Sequence, residues 1–263
     1  MTGTPETPVP TPAPTSAPDT VVLLRRAPER IGAVLALFSP DPRTVLDVPG
    51  DRITTTINGH VVTVALVPAP LRSDHLAYAL SQSPTKHLLA DAVAGHAAHV
   101  TFTYAGEDLR GAQLTLTMLT AYVADAEDGL AVFVPATDQL TTDVLYAGEA
   151  ERNPALTWFN TMAARLDATT SVAHTIGLAR LTGAELQLRS TALSPGEAFR
   201  DLREGVAAVL AGDGELRAGG SLAVGGAPHV LTPAASVIGT GEVLDAVPGP
   251  PEAEPKRRGW FRR

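Results

Sequence analysis

The chain is 263 residues long, with 20 Lys and Arg against 28 Asp and Glu and a formal net charge of −8. That balance excludes a nucleic-acid-binding body, because phosphate contacts need clustered Lys and Arg. The absence of Cys excludes disulfides, thiol catalysis and cysteine metal sites, and is compatible with a reducing cytoplasm.

Residues 1–19 hold Pro, Thr, Ala and Ser with almost no large apolar side chain. Such a leader cannot recover its ordering entropy by burial and is expected to be disordered. It lacks the basic start and apolar run of a signal peptide. No run in the chain reaches the ~18 apolar residues of a membrane span, so a cytoplasmic location is expected.

Residues 20–24 read as a short apolar strand, while the apolar run 31–38 does not declare its type. Residues 53–66 are clearer, because Asn58-Gly59 is the strongest short hairpin signal. A two-residue turn pairs Ile57 with His60, Thr55 with Val62 and Ile53 with Val64. Pro68-Ala69-Pro70 ends the hairpin. Short helices are expected over 73–81 and 86–95, then a half-buried strand in which Val100, Phe102 and Tyr104 alternate with threonines.

Residues 114–118 alternate like a strand, yet Ala112, Leu116, Leu119 and Val123 recur at helical spacing. A strand of that length is unusual, so 108–124 is read as a helix. A buried strand over 130–134 stops at Pro135, and residues 137–149 read as another helix.

The stretch 171–247 is the most sharply patterned. A strand near 174–179 is expected to turn at Leu181-Thr182-Gly183 into a half-buried strand over 184–189. Ser194-Pro195-Gly196-Glu197 is a capping box with Pro at the first helical position. Behind it Phe199, Leu202, Val206, Val209 and Leu210 form one apolar stripe, with Arg200, Asp201, Arg203 and Glu204 expected in solvent. Glycines punctuate short strands beyond it. The fold class is therefore α+β, a mixed or antiparallel sheet with helices packed on it. Repeated strand–helix–strand grammar on both sides of residue 150 points to two related α/β halves, 20–150 and 151–247, sharing one sheet.

Several of these residues carry a family resemblance. Gly177-Leu178, Glu185-Leu186, Leu193-Ser194-Pro195, Val209-Leu210 and the later Pro233-Ala234-Ala235-Ser236-Val237 resemble the bacterial family called domain of unknown function 4261. Upstream, Pro68-Ala69-Pro70-Leu71 and His96-Ala97-Ala98-His99-Val100 are similar to features of its longer members. The resemblance covers most of residues 50–247 and implies a fold, not a reaction. The family usually has an acidic turn after the helix, and Ala218-Gly219-Gly220-Ser221 has no acid.

Recognisable chemistry is sparse. His96 and His99 form a candidate polar site at a helix-to-strand junction, but no third ligand stands at a supporting spacing, so no metal or cofactor is expected. No serine-elbow, zinc-helix or phosphate-loop motif occurs. The structural alternative for the two imidazoles is to cap the helix end and to bond in the sheet. Residues 248–263 form a Pro-rich linker and a basic segment: Lys256, Arg257, Arg258, Trp260, Phe261, Arg262 and Arg263. This segment either folds back on the acidic body or meets an anionic partner such as a membrane surface. The preferred expectation is a non-enzymatic, cytoplasmic protein-binding or accessory domain, immunity-type domains included. The alternative is an enzyme or small-ligand protein with its site near His96 and His99.

Overall fold

Asn58 and Gly59 both adopt positive φ, 50° and 83°, the backbone that a two-residue hairpin turn requires. They join strands β2 (Arg52–Ile57) and β3 (His60–Val67), with Ile57 opposite His60 and Thr55 opposite Val62 as the spacing predicts. The hairpin is one edge of a six-stranded antiparallel sheet of order β2-β3-β4-β1-β5-β6, where β1 is Thr20–Leu24, β4 Ala98–Tyr104, β5 Gly129–Val134 and β6 Gln139–Thr142. The computed structural model describes residues 19–212, 214–239 and 241–249. Of the leader expected to be disordered over 1–19, only Asp19 is described, and it is ordered, its carboxylate accepting from Tyr104 N–H at 2.7 Å. The rest of the leader and the basic segment lie outside the described residues.

Helices cover both faces of this sheet, which is why all five residues of β1 are buried. On one side Val22 and Leu24 pack with Leu116 and Leu119 of α4 (Leu109–Ala124), with α1 (Ile31–Leu35) and with Tyr146 of α5 (Asp143–Arg152). On the other, Val21 and Leu23 meet Leu76 and Leu89 from α2 (Asp74–Gln82) and α3 (Lys86–Gly95). The ambiguous run after residue 31 is thus a short helix.

A second six-stranded sheet has the order β10-β11-β12-β9-β8-β7. Its members are β7 (Asn160–Arg165), β8 (Ser171–Ile176), β9 (Leu186–Ser190), β10 (Ser221–Val224), β11 (Ala227–Ala235) and β12 (Glu242–Pro248). All its pairs are antiparallel except β9 with β12. Helix α7 (Pro195–Ala211) lies on one face, and its capping box is complete: Ser194 Oγ accepts from Glu197 N–H while the Glu197 carboxylate accepts from Ser194 N–H. Leu202, Val206 and Leu210 are fully buried against Leu186, Leu188 and Leu231. The protein is α+β, with helices packed on one antiparallel and one mixed sheet.

Four expectations need correction. The halves do not share a sheet; each has its own, with a different strand order. Residues 137–149 are not one helix, because Asp138 takes a left-handed conformation and Gln139–Thr142 pairs with β5 before Thr142 caps α5. The strand near residue 174 ends at Ile176, and Ala179–Thr182 is a helical turn, α6. On α7, Phe199 is only partly buried, whereas two residues expected in solvent are not there: Arg203 is paired with Glu149, and the Asp201 side chain is mostly covered.

The halves are fastened at named points. Gly177 (φ 81°) lies so close to the first half that a Cβ there would stand 2.5 Å from Thr137 Cγ2 and 2.9 Å from the Ala136 carbonyl oxygen. Arg180 reaches Asp19 at 3.1 Å. The Glu185 carboxylate accepts from the Gly177 and Ala179 amides at 2.7 and 3.1 Å and from the Thr175 hydroxyl at 2.6 Å, fixing the turn that carries both contacts.

Candidate functional site

Helix α4 buries an apolar face of Ala112, Leu116, Leu119 and Val123, and polar side chains lie buried beside it. Its Gln113, Thr115, Thr117 and Thr120 are buried, while Leu114, Met118 and Tyr122 are 47, 43 and 50% exposed. The inward hydroxyls are satisfied: Thr120 Oγ1 lies 2.8 Å from Thr20 Oγ1, and Thr117 Oγ1 meets Thr157 Oγ1 at 2.9 Å and accepts the Trp158 indole N–H at 3.1 Å. Beside them burial pushes the Tyr146 phenol up, opposed by the hydroxyls of Thr157, Thr117 and Thr120. These polar contacts lock the rotation of α4, since turning the helix would orphan buried hydroxyls. The apolar residues at i, i+4 and i+8 are thereby held outward as one stripe.

The stripe is the ridge between recesses. On one side a recess of about 570 Å³ lies between α4, β2 and the 38–48 segment, with Phe38, Val45 and Ile57 among its walls. On the other, a groove of about 660 Å³ separates α4 from α5, where Val144 is 73% exposed. It continues past Leu114 and Pro154 into a recess of about 580 Å³ against Leu210 and Ala211 of α7. The α4–α5 groove is apolar in its floor, and its charged lining is Asp125 and Glu151 alone. Scattered single apolar side chains are ordinary on a surface, but a contiguous set flanked by concave walls marks an interaction surface.

The two histidines face away from this surface. His96 Nε2 accepts from Leu71 N–H at 2.7 Å, and its Nδ1 donates to the Val93 carbonyl at 2.7 Å, so both ring nitrogens are engaged. His99 Nδ1 lies 2.9 Å from the Ala69 carbonyl. Burial pushes the His99 imidazole below the usual histidine range, with the Ala69 carbonyl opposing and His96 adding to the shift. Together they tie the Pro-rich 68–71 segment to the end of α3 and to β4. Among the described residues no group of three or more His, Asp or Glu is placed to hold a metal, and no helix is long and apolar enough to cross a membrane. Lys256, Arg257, Arg258, Trp260, Phe261, Arg262 and Arg263 lie outside the described residues.

Sequence reasoning missed Leu114, Met118, Tyr122 and Val144. A signal was present: Leu114, Met118 and Tyr122 recur at i, i+4 and i+8 beside the stripe of Leu116, Leu119 and Val123, making the apolar arc wider than one packed face needs. No family model, no curated protein and no solved structure matches this chain.

Proposed function

We propose that this is a non-enzymatic, cytoplasmic protein-binding domain whose docking surface is the Leu114-Met118-Tyr122 ridge with the grooves beside it. The observation that carries the reading is the exposed stripe of Leu114, Met118 and Tyr122, three large apolar side chains that stay in water between two recesses while α4 buries Leu116, Leu119 and Val123 on its packed face. Exposing them costs solvation free energy, about 25 cal/mol per Å² of apolar surface, and a partner that covers them recovers it. The grooves fit a segment with aromatic or aliphatic anchors, and the Asp125 and Glu151 rim favours basic flanks. The resemblance to the bacterial domain of unknown function 4261 sits beside this reading. Its Gly177-Leu178 and Glu185-Leu186 signature residues make one hydrogen-bonded turn between the halves, which supports a structural role for them.

The test is site-specific photo-crosslinking of the full chain in its native cell. A benzophenone side chain replacing Met118 is expected to yield a discrete adduct with another protein, whose crosslinked segment carries apolar anchors and basic flanks. The control position is Glu204, exposed on α7. Equal adducts at both positions, or none at Met118, would overturn the proposal.

A further inference from the structure

One segment of the chain has the chemistry that the α4–α5 groove calls for. Residues 256–263 carry five positive side chains together with Trp260 and Phe261. Subtracting those five charges from −8 leaves −13 on the remainder of the chain, so the segment is opposite in sign to its own body. The groove offers the complementary surface, apolar beside Met118 and Leu114 with Asp125 and Glu151 as its charged lining, while the adjoining recess carries the opposed charges of Asp108 and Arg110. Aromatic side chains flanked by Arg fill such a site well, since the rings supply buried area at little rotamer cost and the guanidinium groups bond carboxylates bidentately.

The segment can also reach. Gly249 donates its N–H to the Pro228 carbonyl, and Pro228 pairs with Ala223 across β10 and β11. The Ala223 carbonyl lies directly against Gly205 of α7. Six residues further along α7, Ala211 lines the same recess as Leu114. With ~4.8 Å between strands and ~1.5 Å per helical residue, that route is roughly 25 Å. The eleven residues from Gly249 to Trp260 span about 36 Å when extended. The chain is therefore long enough for Trp260 to reach the Leu114 end of the groove, with length left over for Phe261, Arg262 and Arg263.

We propose that residues 256–263 dock in cis into the α4–α5 groove, with Trp260 and Phe261 on Leu114 and Met118 and the basic side chains at Asp125 and Glu151. The inference rests on the reading of this face as a docking surface and adds its regulation. The protein carries a self-ligand that covers the ridge, and a partner must displace it. Tethering makes such cover effective even when the contact is weak, because a short linker holds the segment at a high effective concentration.

The experiment uses the full chain labelled with 5-fluorotryptophan. It has two Trp, Trp158 and Trp260, so fluorine NMR gives two resonances, assigned with Trp260→Phe. The expected Trp260 resonance is displaced from its position in a free peptide of residues 250–263 and does not move on dilution. It returns to the peptide position in Met118→Glu and, independently, in Asp125→Lys/Glu151→Lys. All three altered residues are exposed, so melting temperatures should hold and verify the fold. A Trp260 resonance at the peptide position in the unaltered chain overturns the proposal. So does a displacement that vanishes on dilution, which makes a second copy the occupant, or one that arises only with mixed phosphatidylcholine and phosphatidylserine vesicles, which makes it a lipid surface. The two readings separate cleanly. If Met118 still crosslinks to another protein while Trp260 is free, the docking surface stands and the self-ligand falls. If the self-ligand is real, Trp260→Ala/Phe261→Ala raises the Met118 adduct yield several-fold.

Discussion

Arg203 of α7 and Glu149 of α5 form a bidentate pair, 2.6 and 2.7 Å, across the boundary between the two halves. Their side chains are 14 and 19% exposed, and Arg203 donates again to the Leu156 carbonyl at 2.9 Å. An arginine that the helix pattern assigns to solvent is thus the link that sets α7 against α5. Removing one partner strands the other charge in a poorly hydrated place, which for buried pairs costs about 3 kcal/mol or more. Arg203→Ala and Glu149→Ala are each expected to lower the urea midpoint clearly, and the double variant to cost less than the two singles combined. Additive losses in that cycle would show that the pair is not coupled.

The core of the second half predicts a sharper contrast along one helix. Leu202 is fully buried under the sheet, so Leu202→Ala should cost on the order of 2–5 kcal/mol. Phe199, one turn earlier and only partly buried, should lose distinctly less on the same truncation. Urea denaturation of the two variants decides it, and equal losses would misplace the buried face.

Two glycines with the same backbone should respond differently to alanine. Gly177 (φ 81°) and Gly183 (φ 86°) both sit in the left-handed region, which costs a side chain about 1–2 kcal/mol. A Cβ at Gly183 meets nothing within 4 Å, whereas at Gly177 it runs into Thr137 and the Ala136 carbonyl. Gly177→Ala should therefore lower the melting temperature well beyond Gly183→Ala. It should also loosen the contact between halves, read as faster amide exchange in Ala179–Thr182.

Burial of His99 gives stability a pH dependence of known sign. Its folded imidazole titrates below the ~6.5 of an unfolded histidine, so the unfolded chain takes the proton first. The His99 contribution is complete above about pH 6.5 and is lost as pH falls from there through the lowered folded value. Urea midpoints between about pH 5 and 8 should drop toward the acid side, and His99→Gln should flatten that part of the profile. An unchanged slope in His99→Gln would assign the dependence elsewhere.

How much was legible in the chain follows from the range of the interactions involved. The hairpin at Asn58-Gly59 and the capping box at Ser194 could be read directly, because turn chemistry and capping act within a few residues. The helix over 108–124 was read only by setting its 3.6-residue spacing against a competing strand alternation. β6 was lost inside an expected helix. Four residues are too short for a period to declare itself, and what makes Gln139–Thr142 a strand is its pairing with β5. The same holds for the split into two sheets, since strand order depends on partners far apart in sequence.

The docking face is the clearest case of something only the tertiary structure decides. Sequence alone favoured a helix over 108–124, because the competing strand alternation at 114–118 would have needed an unusually long strand. The spacing of Ala112, Leu116, Leu119 and Val123 marked the face that is buried, but only the elements packed on α4 decided that Leu114, Met118 and Tyr122 stay uncovered beside it. Beside the buried apolar face, the hydroxyls of Thr20 and Thr157 and the Trp158 indole hold Thr120 and Thr117 inward. A buried hydroxyl without a partner costs about as much as a buried methylene or two contributes. The hydrogen bonds therefore act with the burial of Leu116, Leu119 and Val123 to set the rotation of α4, and that rotation leaves the ridge in water.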